Sequence, residues 1–129
     1  MNPHRRQGEA AQRFAERRRR EDEAPRLLQE VPRLRSLRLD IDEHTREGVV
    51  SSEPAHIRRI VVEHAPALFF LPCGDTRCRD GGHDVTRAVM AALRDGKTQF
   101  EGEDACSGTQ GSGHCGRILH YIGMATFAE

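Results

Sequence analysis

The four cysteines of this 129-residue chain come as two pairs, Cys73 with Cys78 and Cys106 with Cys115. The first pair closes a turn-forming stretch, Pro72-Cys73-Gly74-Asp75-Thr76-Arg77-Cys78. The second brackets a pliable loop that carries Gly108, Gly111 and Gly113. Thiolates are soft ligands, and four of them on two loops meet the needs of a closed tetrahedral zinc site. The C-x4-C spacing sits at the upper end of the usual range of about two to four intervening residues, and C-x8-C lies beyond it. The glycines of the second loop supply the freedom to fold back on a metal. His83 and His114 complicate the ligand count, because either imidazole could replace a thiolate. His114, next to Cys115, also suits a hydrogen bond to a sulfur. The simpler reading of each is a solvated loop histidine.

The same thiols admit redox chemistry. Arg77 and Arg79 flank Cys78, and a helix start follows within a few residues; both favour a thiolate. Those features favour metal binding equally, and the thioredoxin-type C-x-x-C is absent. Pro72-Cys73 invites comparison with the zinc deaminases, but that chemistry needs C-x-x-C after the proline and an upstream H-x-E, and neither is present. No phosphate-binding loop, dinucleotide glycine pattern or nucleophile elbow occurs. Asp75, Asp80 and Asp84 could act as acid–base groups beside a metal, although turn and capping duties account for all three. Gly81-Gly82 ahead of a helix could offer backbone amides to an anion. Arg77, Arg79 and Arg87, with Arg117 on the second loop, would complement a phosphate there. The competing reading is a solvated charged rim.

The elements that carry these loops follow from periodicity. Leu37, Leu39 and Ile41 alternate with Arg38, Asp40 and Asp42, which predicts a strand with one wet face. Glu47-Gly48 and Ser51-Ser52-Glu53-Pro54 mark the connection after it. Residues 56–63 read as a second strand, and Pro66 as a bulge or edge position. Residues 67–71 resume as a strand that delivers Cys73. Asp84 should cap a helix whose Val85, Ala88, Val89, Ala92 and Leu93 fall on one face, with Gly96 just past its end. Residues 98–103 and 117–127 would form a hairpin closed by the second cysteine loop. The expectation is an α+β domain, an antiparallel sheet of about five strands with one packed helix. Its two cysteine-bearing loops would be joined by a metal.

Residues 1–32 read as a charged, partly helical arm and residues 33–129 as the metal-stapled domain. Arg17 to Arg20 run directly into Glu21, Asp22 and Glu23, while Ala10, Ala11, Phe14 and Ala15 give a weak apolar stripe. A basic arm could grip phosphates; a solubilising tail is the plainer reading, because the adjacent acids cancel much of the field. Leu27, Leu28 and Val31 could dock on the folded body. Over Cys73 to Cys115, paired-cysteine loops flanked by strands resemble a zinc ribbon in outline.

Twenty basic and 20 acidic residues leave no formal net charge, so no global field draws the chain to nucleic acid or an anionic membrane. With 36% hydrophobic residues the core must be small and would gain from a cross-link. The N-terminus is charged and lacks an apolar leader, and the apolar run from Ala65 to Pro72 is too short to span a bilayer. A cytoplasmic, reducing setting is expected, where paired cysteines serve as metal or redox groups rather than disulfides. The leading functional reading is a non-catalytic, zinc-stabilised binding module that meets a protein or nucleic-acid partner through Arg77, Arg79, Arg87 and Arg117. A membrane or small-molecule partner is not expected. A thiol-based redox sensor is the alternative, and a small metalloenzyme using His83 or His114 at an open coordination position is a third.

Overall fold

The computed structural model describes residues 3–45, 56–74, 78, 79 and 81–129. The alternating stretch forms β1 (Leu34–Thr45), the centre of the fold. It pairs on one side with β2 (His56–Ile60) and on the other with a long strand, Arg117–Phe127. That long strand in turn pairs with the strand Gln99–Ala105, and all three pairings are antiparallel. Leu37, Leu39 and Ile41 face inward and are buried. Leu34 is buried too, although it stands an odd number of residues away. A bulge between Leu34 and Ser36 inserts one extra residue and restores the face.

Apart from the 21-residue α1, the remaining elements are short. α1 (Pro3–Glu23) and α2 (Leu27–Glu30) precede the sheet. Between β2 and the sheet's last two strands come β3 (Phe70–Leu71), β4 (His83–Asp84) and α3 (Thr86–Arg94). The strand Gln99–Ala105 is β5; β6 (Thr109–Gln110) and β7 (Gly113–His114) form a small hairpin; Arg117–Phe127 is β8. The main sheet therefore runs β2-β1-β8-β5. In the β5–β8 pair, Phe100 lies across from Gly123 and Tyr121 from Gly102. Each aromatic ring occupies the space that a Cβ on its glycine partner would need. The two rings meet edge to face at 6.5 Å.

α3 forms where its periodicity predicts, although Ala88 of the expected face is exposed and Met90 is buried in its place. The Asp84 carboxylate accepts the Thr86 N–H at 3.1 Å, and Val89, Met90 and Leu93 are buried. Gly96 takes φ +72°, which lets Lys97 N–H reach the Ala92 carbonyl and Gly96 N–H the Leu93 carbonyl, each at 3.1 Å. This is the Schellman arrangement that satisfies the last carbonyls. The helix shares one core with the inner face of the sheet and with Leu27 and Val31 of the α2 turn.

Two expectations are corrected. The sheet has four strands, not five, because residues 67–71 never join it. Ala67 N–H donates to the Pro25 carbonyl and Phe69 N–H to the Thr86 hydroxyl, so neighbouring segments take the ladder bonds that a sheet strand would have made. Only Phe70 and Leu71 are extended, and they pair with Asp84 and His83. The second strand ends at Ile60 rather than Glu63, since a turn follows in which His64 N–H bonds the Val61 carbonyl. The connection holding Glu47-Gly48 and Ser51 to Pro54 lies outside the described residues.

α1 is exposed along its described side chains, Phe14 included at 64%. Two of its arginines meet the body. The Arg17 and Arg20 guanidinium groups lie 5.2 and 5.8 Å from the centre of the Phe70 ring, and Arg20 also pairs with Asp84 at 3.3 Å. Among the described residues no helix is long and apolar enough to cross a membrane.

Candidate metal centre

The sheet brings the two cysteine loops to one end. β5 and β8 pair up to Ala105 and Ile118, and the Cys106 N–H extends the ladder to the Arg117 carbonyl at 2.9 Å. Between them β6 and β7 turn at Gly111, which adopts φ +59°. Cys115 N–H then bonds back to the Gly108 carbonyl at 2.9 Å, placing Cys115 beside Cys106. The first loop is stitched to the second by a reciprocal bridge. Arg79 N–H donates to the Thr109 carbonyl at 2.8 Å, and Thr109 N–H to the Arg79 carbonyl at 3.0 Å. β3 delivers Cys73 from the other side.

The four Sγ atoms lie within 4.8 Å of one another. Cys73 and Cys115 are 3.8 Å apart and Cys78 and Cys106 3.6 Å, far beyond a disulfide bond of about 2.05 Å. None of the four is in a disulfide; Cys106 and Cys115 are buried and the other two half-buried. Together they could hold a metal ion.

Two glycines make the approach possible. A Cβ on Gly81 would strike the Cys78 sulfur and come within 2.6 Å of the Cys106 sulfur. One on Gly108 would strike the Cys78 sulfur and lie 2.6 Å from both the Arg79 carbonyl oxygen and the Gly81 Cα. Bare backbone therefore forms one wall of the thiol cluster, a steric role beyond the pliability expected of Gly108. Donors also face the sulfurs: Gly108 N–H reaches Cys106 and the Gln110 amide reaches Cys115, both at 3.4 Å.

The thiols titrate unequally. Burial, followed by hydrogen bonds from Cys106 and Cys115, pushes Cys78 up to about 12. Burial also opposes ionisation of Cys115, but the Arg117 backbone N–H and the three neighbouring thiols outweigh it and bring Cys115 below the ordinary thiol value. A metal taking this site must displace protons, that of Cys78 above all.

Neither histidine joins the group of mutually close donors. His114 is exposed on β7, as a solvated loop residue would be. His83 is not: its side chain is 0% exposed, which overturns the solvated reading. The pairing of Leu71 with His83 turns the ring inward between β1 and β5. There Nδ1 meets the Asp104 carboxylate at 3.2 Å, and Nε2 stands 3.9 Å from Glu43 without a hydrogen bond.

Glu43 is the residue the sequence reading passed over. It continues the inward series Leu37, Leu39, Ile41, so a carboxylate on the core face was the signal. Its side chain is 13% exposed, accepts the Gly74 N–H at 3.0 and 3.2 Å, and lies 3.6 Å from the Arg117 guanidinium. Among the arginines singled out from sequence, Arg79 and Arg87 are exposed, and Arg117 is turned toward Glu43. Arg77, Asp75 and Asp80 lie outside the described residues. Comparison of the chain with protein-family models, with curated proteins and with solved structures found no match.

Proposed function

We propose that Cys73, Cys78, Cys106 and Cys115 hold one structural zinc ion, and that the domain so closed is a non-catalytic binding module. The observation that carries the metal reading is the spacing of the sulfurs. A tetrahedral site with metal–sulfur bonds of about 2.3 Å places its sulfurs about 3.8 Å apart; here Cys78–Cys106 and Cys73–Cys115 stand at 3.6 and 3.8 Å, and all four sulfurs lie within 4.8 Å of one another. Four protein thiols fill a tetrahedron and leave no position for a reacting water, which favours a structural over a catalytic role.

The partner in this reading is a protein or nucleic acid met through the exposed Arg79 and Arg87, with Arg77 and Arg117 of the same loops and the α1 arm. Metal content by mass spectrometry, with thiols counted before and after chelation, tests the metal. One zinc per chain and four thiols freed by chelator are expected; a metal-free protein whose thiols titrate at once would overturn it. Retention on RNA or DNA that falls steeply with salt would assign the partner to nucleic acid, and flat salt dependence would exclude phosphate contacts as the main attraction.

A redox sensor is the second reading, favoured by the half-buried Cys73 standing 3.8 Å from Cys115, the thiol whose ionisation is eased. Reversible disulfide formation under mild peroxide tests it, and inert thiols would end it.

A further inference from the structure

Three of the four cysteines lie within two residues of a member of one buried polar network. Gly74 follows Cys73, Asp104 precedes Cys106 by two, and Arg117 follows Cys115 by two. Gly74 and Arg117 converge on the same carboxylate. Glu43 accepts the Gly74 N–H at 3.0 and 3.2 Å and faces the Arg117 guanidinium at 3.6 Å. Arg117 in turn donates its backbone N–H to the Cys115 sulfur. Asp104 is tied in through His83, whose ring spans from Asp104 at 3.2 Å to Glu43 at 3.9 Å.

A carboxylate that sits on the core face of β1 at 13% exposure gives up most of its hydration. Burial of that kind is sustained only by groups that answer the charge, and here those groups belong to the two cysteine loops. We propose that Glu43 is a positioning residue for the metal centre, holding Cys73 through Gly74 and Cys115 through Arg117. The proposal rests on the metal reading above. It carries an asymmetry, because among the described residues the hydrogen bond and ion pair of Glu43 lead to Gly74 and Arg117, whereas Gly81 and Gly108 pack on the Cys78 side. Glu43 acts most directly on Cys73 and Cys115, reaches Cys106 only through Arg117 and the His83–Asp104 link, and leaves the Cys78 side to the Arg79–Thr109 bridge.

The test uses the full-length zinc-loaded protein, with Glu43→Ala, Glu43→Gln and, as a control on the outer face of the same strand, Asp42→Asn. Zinc transfer to a chelator is followed by absorbance, and the thiols exposed along the way are trapped by alkylation and located by mass spectrometry. Loss of a group that orients metal ligands typically costs about 10- to 100-fold in affinity, so Glu43→Ala should release zinc at least about 10-fold faster. Its Cys73 and Cys115 should be alkylated before Cys78 and Cys106. Glu43→Gln keeps an oxygen for the Gly74 N–H but loses the charge that meets Arg117. It should therefore protect Cys73 while leaving Cys115 early, and it serves if the alanine variant does not fold. Asp42→Asn should match the parent.

Equal alkylation of all four thiols in both Glu43 variants would reduce Glu43 to a general packing role and overturn the proposal. Parent-like release from Glu43→Gln together with a parent-like alkylation order would do the same. A parent protein that takes up no zinc would remove the metal reading and this inference together, whereas a zinc-loaded parent with indifferent variants removes this inference alone.

Discussion

Gly108 shows how little room the thiols have. A methyl group there meets a sulfur on one side and the backbone of Arg79 and Gly81 on the other. The second wall is backbone and cannot swing aside. Gly108→Ala should cost about 1–3 kcal/mol through overpacking and lower zinc occupancy; a variant with parental metal content and melting temperature would contradict this packing. Gly113 is the control from the same loop, because a Cβ there meets nothing nearer than 3.9 Å. His120 supplies a prediction of a different kind. Its hydrogen bond to Glu101, with Asp42 on its other side, raises its pKa above the ordinary value against a smaller opposing effect of burial. A raised folded value means that the protonated ring stabilises the fold. That contribution is complete below the unfolded value of about 6.5 and fades as pH climbs through the folded value. Melting temperatures of the parent should therefore decline over that window, and His120→Gln should flatten this part of the profile. At this scale the cysteines were legible because four thiols in two loops form a chemical pattern that needs no fold. For Glu43 the period of β1 signals an inward carboxylate but not its partners, and for His83 nothing local signals burial, since those partners lie on β1, β4 and β5.

At the scale of elements, legibility followed the strength of the local signal. α3 was readable at its C-terminal end because Gly96 makes a local left-handed turn; at its start the cap position falls on Val85, which makes no side-chain cap bond, while Asp84, one residue earlier in β4, accepts the Thr86 N–H. β8 was readable in full, and β1 in its alternating stretch, because period-two burial runs along both. β3 was misread because an apolar run says that a segment is buried without saying which neighbour satisfies its backbone. The answer came from Pro25 and Thr86, distant in sequence and polar in the relevant atoms. Phe70, inside that segment, connects the arm to the body. Its ring fills the space beside Gly82 and receives Arg17 and Arg20. Phe70→Ala removes the platform and with it cation–π attraction of about 0.5–2 kcal/mol. Trypsin should then cut within Arg17 to Arg20 faster than in the parent; unchanged cleavage would show that Phe70 does not hold the arm.

The whole molecule divides into a hydrophobic half and a thiol half. Leu39, Val89, Leu93 and Leu119 are buried together among sheet and helix. The far end has few apolar side chains, two short hairpins and four thiols. Chelation should accordingly be felt unevenly. Amide hydrogen exchange should rise sharply over residues 71–74, 81–84 and 106–116, while β1 and the distal part of β8 keep their protection. Uniform loss of protection would mean that the metal nucleates the entire fold, and no change would mean that it stabilises neither half.

The stacking of two arginines on Phe70 also bears on how the arm could count as a cation. Arg17 to Arg20 look like four charges available to a polyanion, but two are already committed to an aromatic face, and one of these also to Asp84. Only Arg18 and Arg19 remain outside this arrangement. In a docked arm this four-arginine block would thus contribute an effective valence near two to the release of counterions from a nucleic acid, about −1.8 to the log–log salt slope in place of about −3.6. To engage all four, the polyanion must first compete with Phe70 and Asp84. The helix would then act less as a fixed basic handle than as a second ligand for the body of its own chain, displaced in proportion to how strongly the polyanion binds.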